Sequence, residues 1–500
     1  MNSRVHEMSA SVFLRNNYLI LLIFFLGLGL RLYDLGGESI WFDEAVSVAA
    51  SKLGFLDQIS WNLTSSDNNP PLYYAFLRVW VLLFGDSEFA VRIPSAIFGS
   101  LSILLIYAVS SRLFNGKAAL LAALILALSV FHIKFSQEAR AYSLSALLAL
   151  LSYYFFLQCS DRGKRSDTTG YVVSSVLLMY THYYGIFIIL SQNIYCGLRY
   201  ITRSKSGAPE FGKWIMLQAI LGILYLPGLY ILYRHSTGME KGFWLSAPTL
   251  KVLYDCFVLY SGSAYLLILL TSLSLLAVVN LRGGAISRSY VGGALNPSAG
   301  SRAEWNAPYA GSVVLLALWL SIPVGVPFLL SLVTTPIFFY RYTIAGSLAF
   351  YMLAAVGTAG TGSRIFVLLV AGLILIFSSV SIFGYYEGVD KPDWRSGIGY
   401  IETGARAGDV IVLFPVYETE AAGYYAGRDD LTIMPLTDEF YSAAYAGDKD
   451  FWLVLCDRWK DDVGNNKGTI EKSIAKGYRV LDTEEFPYLY IYRLEPKKKE

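Results

Sequence analysis

A polytopic α-helical membrane protein with a soluble α/β domain at its C-terminal end is the fold class that this 500-residue sequence predicts. Three observations lead there. Hydrophobic residues make up 55% of the chain and charged residues only 16%, with a mean hydropathy of +0.47, a composition typical of multispanning proteins. Apolar runs of bilayer length recur between residues 18 and 383. Beyond Phe383 charges become frequent, and short strand-like and helix-like patterns replace the long runs. The net charge of +2 gives no field for nucleic acid or an acidic partner. Cys159, Cys196, Cys256 and Cys456 are too scattered for a disulfide framework or a zinc site.

The chain opens with Arg4 and Arg15 ahead of an apolar run from Tyr18 to Leu30. No small-residue cleavage pattern follows, so this run is expected to be an uncleaved anchor with its N-terminus in the cytoplasm. Further runs at 92–111, 118–134, 142–158, 171–181, 183–201, 212–233, 264–281, 310–333, 343–360 and 364–383 bring the expectation to about eleven spans. The segment Pro70–Gly85, PPLYYAFLRVWVLLFG, opens with two prolines and carries Arg78 at its centre, which suits a helix lying in the interface. Basic residues support that choice. With 70–85 kept outside, Arg112, Lys117, the Arg162–Arg165 cluster, Arg199–Lys213, Arg282–Arg302 and Arg364 all fall on the cytoplasmic side. Residues 31–91 then form a large first outer loop, and the odd span count places the tail outside.

From Leu281 to Pro308 the chain is rich in Gly, Ser and Ala, as a flexible cytoplasmic linker is. In the tail, 409–414, 451–456 and 488–494 read as strands, while 394–406, 417–426 and 468–477 read as helices. The expected organisation is a transmembrane domain over 1–383 and an extracytoplasmic α/β domain over 384–500. No internal repeat of the kind that builds secondary transporters is visible.

The stretch IWFDE, Ile40–Glu44, follows the first span and places Asp43 and Glu44 together at a membrane boundary. They read as a general base with a binding or orienting partner, or as a cap and dipole partner for a short helix starting at Ala45. Neighbours in sequence point about 100° apart on a helix, so the two cannot aim at one atom. Glu138 and Arg140 lie where the second outer loop re-enters lipid. Lys134, Arg140, Arg234, Lys241 and Arg341 are basic residues set against the topological bias, which suits them to an anion such as phosphate. Arg341 is flanked by Tyr340 and Tyr342, in the manner of a lipid-phosphate ligand or of an aromatic belt with one snorkelled cation. His182, in the THYYG break, is a site residue or a structural one. Asn62-Leu63-Thr64 forms a glycosylation sequon, a triplet that often arises by chance.

The acidic pair, NPPLYY (Asn69–Tyr74), RIPSAIFGSLSILLIY (Arg92–Tyr107), QEARAY (Gln137–Tyr142) and a late RYT (Arg341–Thr343) together resemble the GT-C membrane glycosyltransferases. The similarity is greatest to the branch holding the aminoarabinose transferases of lipid A and the protein O-mannosyltransferases, and it covers roughly residues 18–385. The resemblance implies inverting transfer of a sugar from a polyprenyl phosphate to an acceptor hydroxyl of a lipid, glycan or protein, at the outer face of the cytoplasmic membrane. It implies Asp43 as the catalytic acid, Glu138 as the second-loop acid and Arg341 as a ligand of the carrier phosphate. Glu44 joins the catalytic set. Arg140, Tyr342 and Lys134 join the phosphate-binding set, and Asn69, Tyr73 and His182 are the substrate-binding candidates. The aminoarabinose branch has an acid and a lysine before the double proline, where this chain has Asn68 and Asn69. No cofactor is firmly implied, and a divalent metal stays open. Displacing a phosphate from an anomeric carbon needs a base for the acceptor proton and cations for the leaving group. The alternative, a lipid or polysaccharide transporter or flippase, should place ionisable groups at mid-membrane, whereas here they cluster near span ends.

Overall fold

The computed structural model describes residues 2–65, 69–161, 163–202, 208–238, 245–283, 302–436, 450–457 and 478–497, together with 468, 472, 474 and 477. In chain order the helices are α1 (Asn2–Leu32), α2 (Phe42–Lys52), α3 (Phe55–Thr64), α4 (Leu72–Phe84), α5 (Glu88–Leu113), α6 (Gly116–Leu128) and α7 (Val130–Ser136). They continue with α8 (Tyr142–Asp161), α9 (Arg165–Thr181), α10 (Gly185–Ile201), α11 (Phe211–Leu224), α12 (Leu226–Gly238), α13 (Leu250–Ser261) and α14 (Ala264–Gly283). Last come α15 (Arg302–Ser331), α16 (Ile344–Ala359), α17 (Arg364–Glu387), α18 (Trp394–Gly404) and α19 (Thr419–Tyr425). Among the described residues five strands follow: β1 (Val410–Phe414), β2 (Thr432–Pro435), β3 (Phe451–Cys456), β4 (Tyr478–Phe486) and β5 (Leu489–Pro496). Two compact units result. The first comprises Met1–Tyr33, Phe55–Ala75 and Ile93–Tyr385; the second comprises Asp34–Gly54, Phe76–Arg92 and Tyr386–Glu500.

In the first unit every expected apolar run is helical, but the expected count of eleven spans is not reproduced. Among the described residues five helices are long and apolar enough to cross a membrane, or up to eight if each of three bent pairs counts as one span. The shortfall has a local cause: α9 and α10 have 17 residues each, and the apolar section of α1, Asn17–Leu32, is also short. The breaks are built into the sequence. Between α6 and α7 the chain bends by 58° at Ser129, which turns extended and accepts the His132 amide on its Oγ as a new N-cap. Buried Arg31 then satisfies the carbonyls of Leu126 and Ala127 that the break frees, at 3.1 and 3.3 Å. Between α13 and α14 the bend is 90°, and Gly262 supplies the left-handed φ of +87° that ends α13. Within α16, a Cβ at Gly357 would lie 1.8 Å from the Leu273 carbonyl oxygen of α14, so only glycine permits that approach. The core is aromatic: Tyr153 stacks on Trp319 with centroids 3.5 Å apart, and Phe156 packs edge-on to Trp214.

The Pro70–Gly85 segment is helical as α4, whose 13 residues are too few for a crossing. Asn62 is buried and donates its Nδ2 to the Asn69 carbonyl at 2.8 Å, so the sequon does not present its amide for modification.

In the second unit the sheet runs β2-β1-β3-β5-β4, with β1 parallel to β2 and β3, and β5 antiparallel to β3 and β4. Val412, Phe451, Leu453, Leu455 and Leu494 form its core. The strands expected at 409–414, 451–456 and 488–494 are β1, β3 and β5. Expected helices at 394–406 and 417–426 are α18 and the 3-10 turn Val416–Glu418 running into α19. The helix expected at 468–477 lies outside the described residues apart from isolated positions.

Candidate active site

The second unit holds the acidic pair. Helix α2 begins at Phe42 after an extended Trp41 that makes no side-chain cap, so Asp43 lies inside the first turn and does not cap a helix starting at Ala45. Both acids still sit at the positive end of the helix. Asp43 is 8% exposed and Glu44 fully buried. Glu44 is locked. Arg92 donates its Nε to Glu44 Oε1 and its Nη2 to Oε2, both at 2.8 Å, and Lys391 Nζ donates to Oε2 at 3.1 Å. The remaining Arg92 donors reach the carbonyls of Leu35 (3.0 Å), Glu38 (2.8 Å) and Ser39 (2.9 Å). A buried guanidinium whose donors are all met is the condition under which such a charge is tolerated. At the far end of α2, Arg78 donates to the Ser51, Lys52 and Leu53 carbonyls, which gives that cation a capping role.

The first unit holds the arginines. A 3-10 turn at Tyr340–Thr343 follows α15 and leads into α16, and it buries Arg341. Ser331 Oγ accepts the Ile337 and Phe338 amides at 2.8 Å each, and Tyr184 OH donates to the Ile337 carbonyl at 2.8 Å. Tyr260 OH closes the turn from the other end by donating to the Thr343 carbonyl at 2.9 Å. The Arg341 guanidinium carbon lies 4.8 Å from the ring centre of Phe339, 5.7 Å from Tyr142 and 5.9 Å from Tyr342. His182 joins the same group, 5.1 Å from Tyr342, 5.4 Å from Tyr184 and 6.0 Å from Tyr142. Its Nδ1 accepts the Tyr184 amide at 3.2 Å. Burial, with the nearby charges of Arg140 and Arg341, pushes the His182 imidazolium down to about 3, so the ring is neutral at ordinary pH.

Arg140 is tied into the second loop, its amide donating to the Glu138 carbonyl at 2.8 Å. Its own carbonyl accepts Ser95 Oγ at 3.4 Å, and Ser95 in turn lies 3.4 Å from Tyr73 OH. Tyr183 OH meets His235 Nδ1 at 2.8 Å, and His235 Nε2 meets the Asn62 carbonyl at 2.6 Å. Asn62 holds Asn69, so this chain of polar contacts fixes the residues before the double proline. Glu138, Arg140, Arg341, Tyr342 and His182 thus lie in one unit with Tyr73, Asn69 and half-buried Lys134, while Asp43 and Glu44 belong to the other. Sequence reasoning missed Arg92, Lys391, Tyr142, Tyr184 and Phe339. Among the described residues no group of three or more His, Cys, Asp and Glu side chains could hold a metal ion. Glu44, the buried carboxylate beside Asp43, already binds two cations, so the acidic pair does not fit a divalent metal.

Residues 68–224 match the family described as dolichyl-phosphate-mannose-protein mannosyltransferase. Among curated proteins no sequence matches the chain. Solved structures do. ArnT from Cupriavidus metallidurans in the apo state superposes with a TM-score of 0.61 at 11% identity, covering 96% of this chain and 98% of that one. The same protein bound to undecaprenyl phosphate gives 0.61 at 10% identity, covering 95% and 98%. The Archaeoglobus fulgidus oligosaccharyltransferase in complex with zinc and sulfate gives 0.57 at 11% identity, covering 95% of this chain and 72% of that one. The fold therefore extends over nearly the whole of this chain and of ArnT, C-terminal sheet included, and the match to the mannosyltransferase family falls within its helical part. The chain is a multi-pass membrane protein that shares its fold with ArnT, and its residues 68–224 resemble the protein mannosyltransferase family.

Proposed function

We propose that the protein is an inverting glycosyltransferase, moving a hexose or pentose from a polyprenyl-phosphate donor to an acceptor hydroxyl at the outer face of the cytoplasmic membrane. The observation that carries the reading is the buried group of Arg341, His182 and four aromatic rings, with Arg140 close enough to repel a proton from His182. A buried guanidinium set among aromatic rings is suited to bind a phosphate through charge-assisted hydrogen bonds. A phosphate on a lipid carrier is an anion of that kind, with the rings serving the sugar or the prenyl chain. Undecaprenyl phosphate is bound by the ArnT structure, which supports a carrier of this class.

In the proposed reaction Asp43 takes the proton of the acceptor hydroxyl as its oxygen attacks the anomeric carbon. The bond from that carbon to the phosphate oxygen breaks, and its electron pair leaves with the carrier phosphate. Arg341 and Arg140 stabilise the departing charge, with Tyr342 and Lys134 beside them. Glu138, Asn69, Tyr73 and His182 bind sugar or acceptor. Glu44 orients the first turn of α2. The proposed domains are a catalytic one over 1–383 and an extracytoplasmic one over 384–500.

The test is incubation of the purified protein with a panel of radiolabelled polyprenyl-phosphate sugars and membrane-extract acceptors. Release of free carrier phosphate together with labelled acceptor supports the reading. Movement of intact donor across a vesicle bilayer without bond cleavage would instead favour the flippase alternative.

A further inference from the structure

The loop that carries Asp43 is bonded, almost residue by residue, to the leading segment of the C-terminal domain. Glu38 Oε1 accepts the amides of Asp390 at 2.6 Å and Lys391 at 3.2 Å. Ser39 Oγ donates to Asp393 Oδ1 at 3.0 Å and accepts the Arg395 amide at 3.2 Å. The Ile40 amide donates to Tyr425 OH at 2.6 Å. That hydroxyl passes its own proton bond to Glu88, which also takes Arg395 through two bonds of 3.0 and 2.6 Å. Phe42 packs on Tyr417 with centroids 5.1 Å apart, and Glu44 receives Lys391. All of these residues belong to the second unit.

A merely appended domain would not require this arrangement. The Lys391 side chain is 4% exposed, and burying an ammonium is costly unless a carboxylate answers it. Its answer is Glu44, one residue from the proposed base and on the same helical turn. Fixing Glu44 fixes the rotation of that turn, and so the direction in which the Asp43 side chain leaves it.

We infer that Asp390–Arg395 and Tyr425 form a clasp that positions the start of α2, with Lys391 as the positioning residue for Asp43. The inference rests on the transferase reading above for its consequence, though not for its geometry. The C-terminal domain is then a part of the catalytic apparatus rather than a display module.

The test uses the full chain in nanodiscs and two substitutions. Lys391→Met keeps most of the stem and removes the ammonium; Tyr425→Phe removes one hydroxyl and is the milder change should the first fail to fold. Hydrogen exchange at amides 38–46 reports the clasp without any substrate, and kcat and KM for an active donor report its consequence. Exchange in this segment should quicken at least about tenfold in both variants. The kcat should fall about tenfold or more with donor KM unchanged, because a displacement of about 1 Å can cost 10²-fold in rate. Lys391→Arg, which keeps the charge, should recover much of the loss. Tyr400→Phe, which breaks only the bond to Asp482 in the same domain, should leave both readouts as they are. Unchanged exchange in Lys391→Met and Tyr425→Phe, or faster exchange with full kcat, overturns the inference. If the unaltered protein transfers no sugar, the transferase reading fails, and the exchange experiment still decides whether the clasp holds the loop.

Discussion

Replacing Arg341 tests the proposed phosphate site most directly. Arg341 is 8% exposed and lies over the faces of Phe339, Tyr142 and Tyr342, so its guanidinium is held inside the protein and does not reach out to the bilayer edge. Guanidinium can grip two phosphate oxygens, whereas an ammonium acts as a point charge. A charge-assisted hydrogen bond contributes about 1.5–3 kcal/mol. Losing one of two in Arg341→Lys should therefore weaken donor binding about 10- to 100-fold, at about 1.4 kcal/mol per factor of ten. Arg341→Ala loses both bonds and the neutralising charge, and should weaken it more than about 100-fold. Donor binding is measured by titration calorimetry of the detergent-solubilised protein, with thermal unfolding as the control. A snorkelled or purely structural arginine makes the opposite forecast: lysine substitutes fully, and alanine lowers stability without touching donor affinity. Unchanged affinity in the alanine variant would remove Arg341 from the site.

Three further outcomes are expected. Asp43→Asn keeps the size of the side chain but removes the proton acceptor, so expression should be normal and turnover reduced at least about a hundredfold; steady-state transfer rates check this, and substantial activity would return Asp43 to a structural role. His182 is held at about 3 in the fold against about 6.5 unfolded, so the unfolded chain takes up the proton first. Stability should fall as pH drops from about 6.5 towards 3, and His182→Gln should narrow the gap between melting temperatures at pH 7 and pH 4.5. For topology, a cysteine placed at Ser65 or Ser442 should react with an impermeant thiol reagent on intact cells, and one at Ser166 should not; labelling of position 166 from outside would reverse the expected orientation.

What was legible in the sequence is what local patterns encode. Apolar runs became helices because a bilayer-length run has few other ways to satisfy its backbone, and β1, β3 and β5 showed because their short apolar runs are buried in the sheet. The two strands that were missed, β2 and β4, are the edges of the sheet. β2 has four residues and ends in proline, and β4 is exposed along most of its length, so neither carries a burial pattern to read. The partners of Glu44 were illegible for another reason. Arg92 is 48 residues away and Lys391 is 347 away, and Arg92 opens an apolar run where a cation looks like a boundary marker. The aromatic surround of Arg341 likewise joins its neighbours Phe339 and Tyr342 to Tyr142 and Tyr184 from two distant breaks.

The division of labour between Asp43 and Glu44 follows from their spacing. Side chains one residue apart on a helix diverge by about 100°, and the structure commits Glu44 to Arg92 and Lys391. A mechanism needing two cooperating carboxylates, one to protonate a leaving group and one to activate the acceptor, could not draw both from this pair. Phosphate removes that requirement. Its second ionisation falls near pH 6, so it departs as a stable anion and needs no general acid. Guanidiniums can take the place of the acid by neutralising charge as it develops, a role that needs no proton transfer. One base and a pair of arginines therefore form a complete set for displacing a phosphate by a hydroxyl, and Asp43, Arg140 and Arg341 are of those types. In the proposed reaction the second acid holds the first in place, so Glu44→Gln should lower kcat while leaving donor affinity intact; a variant that instead lost donor binding would show that Glu44 belongs to the proposed phosphate site.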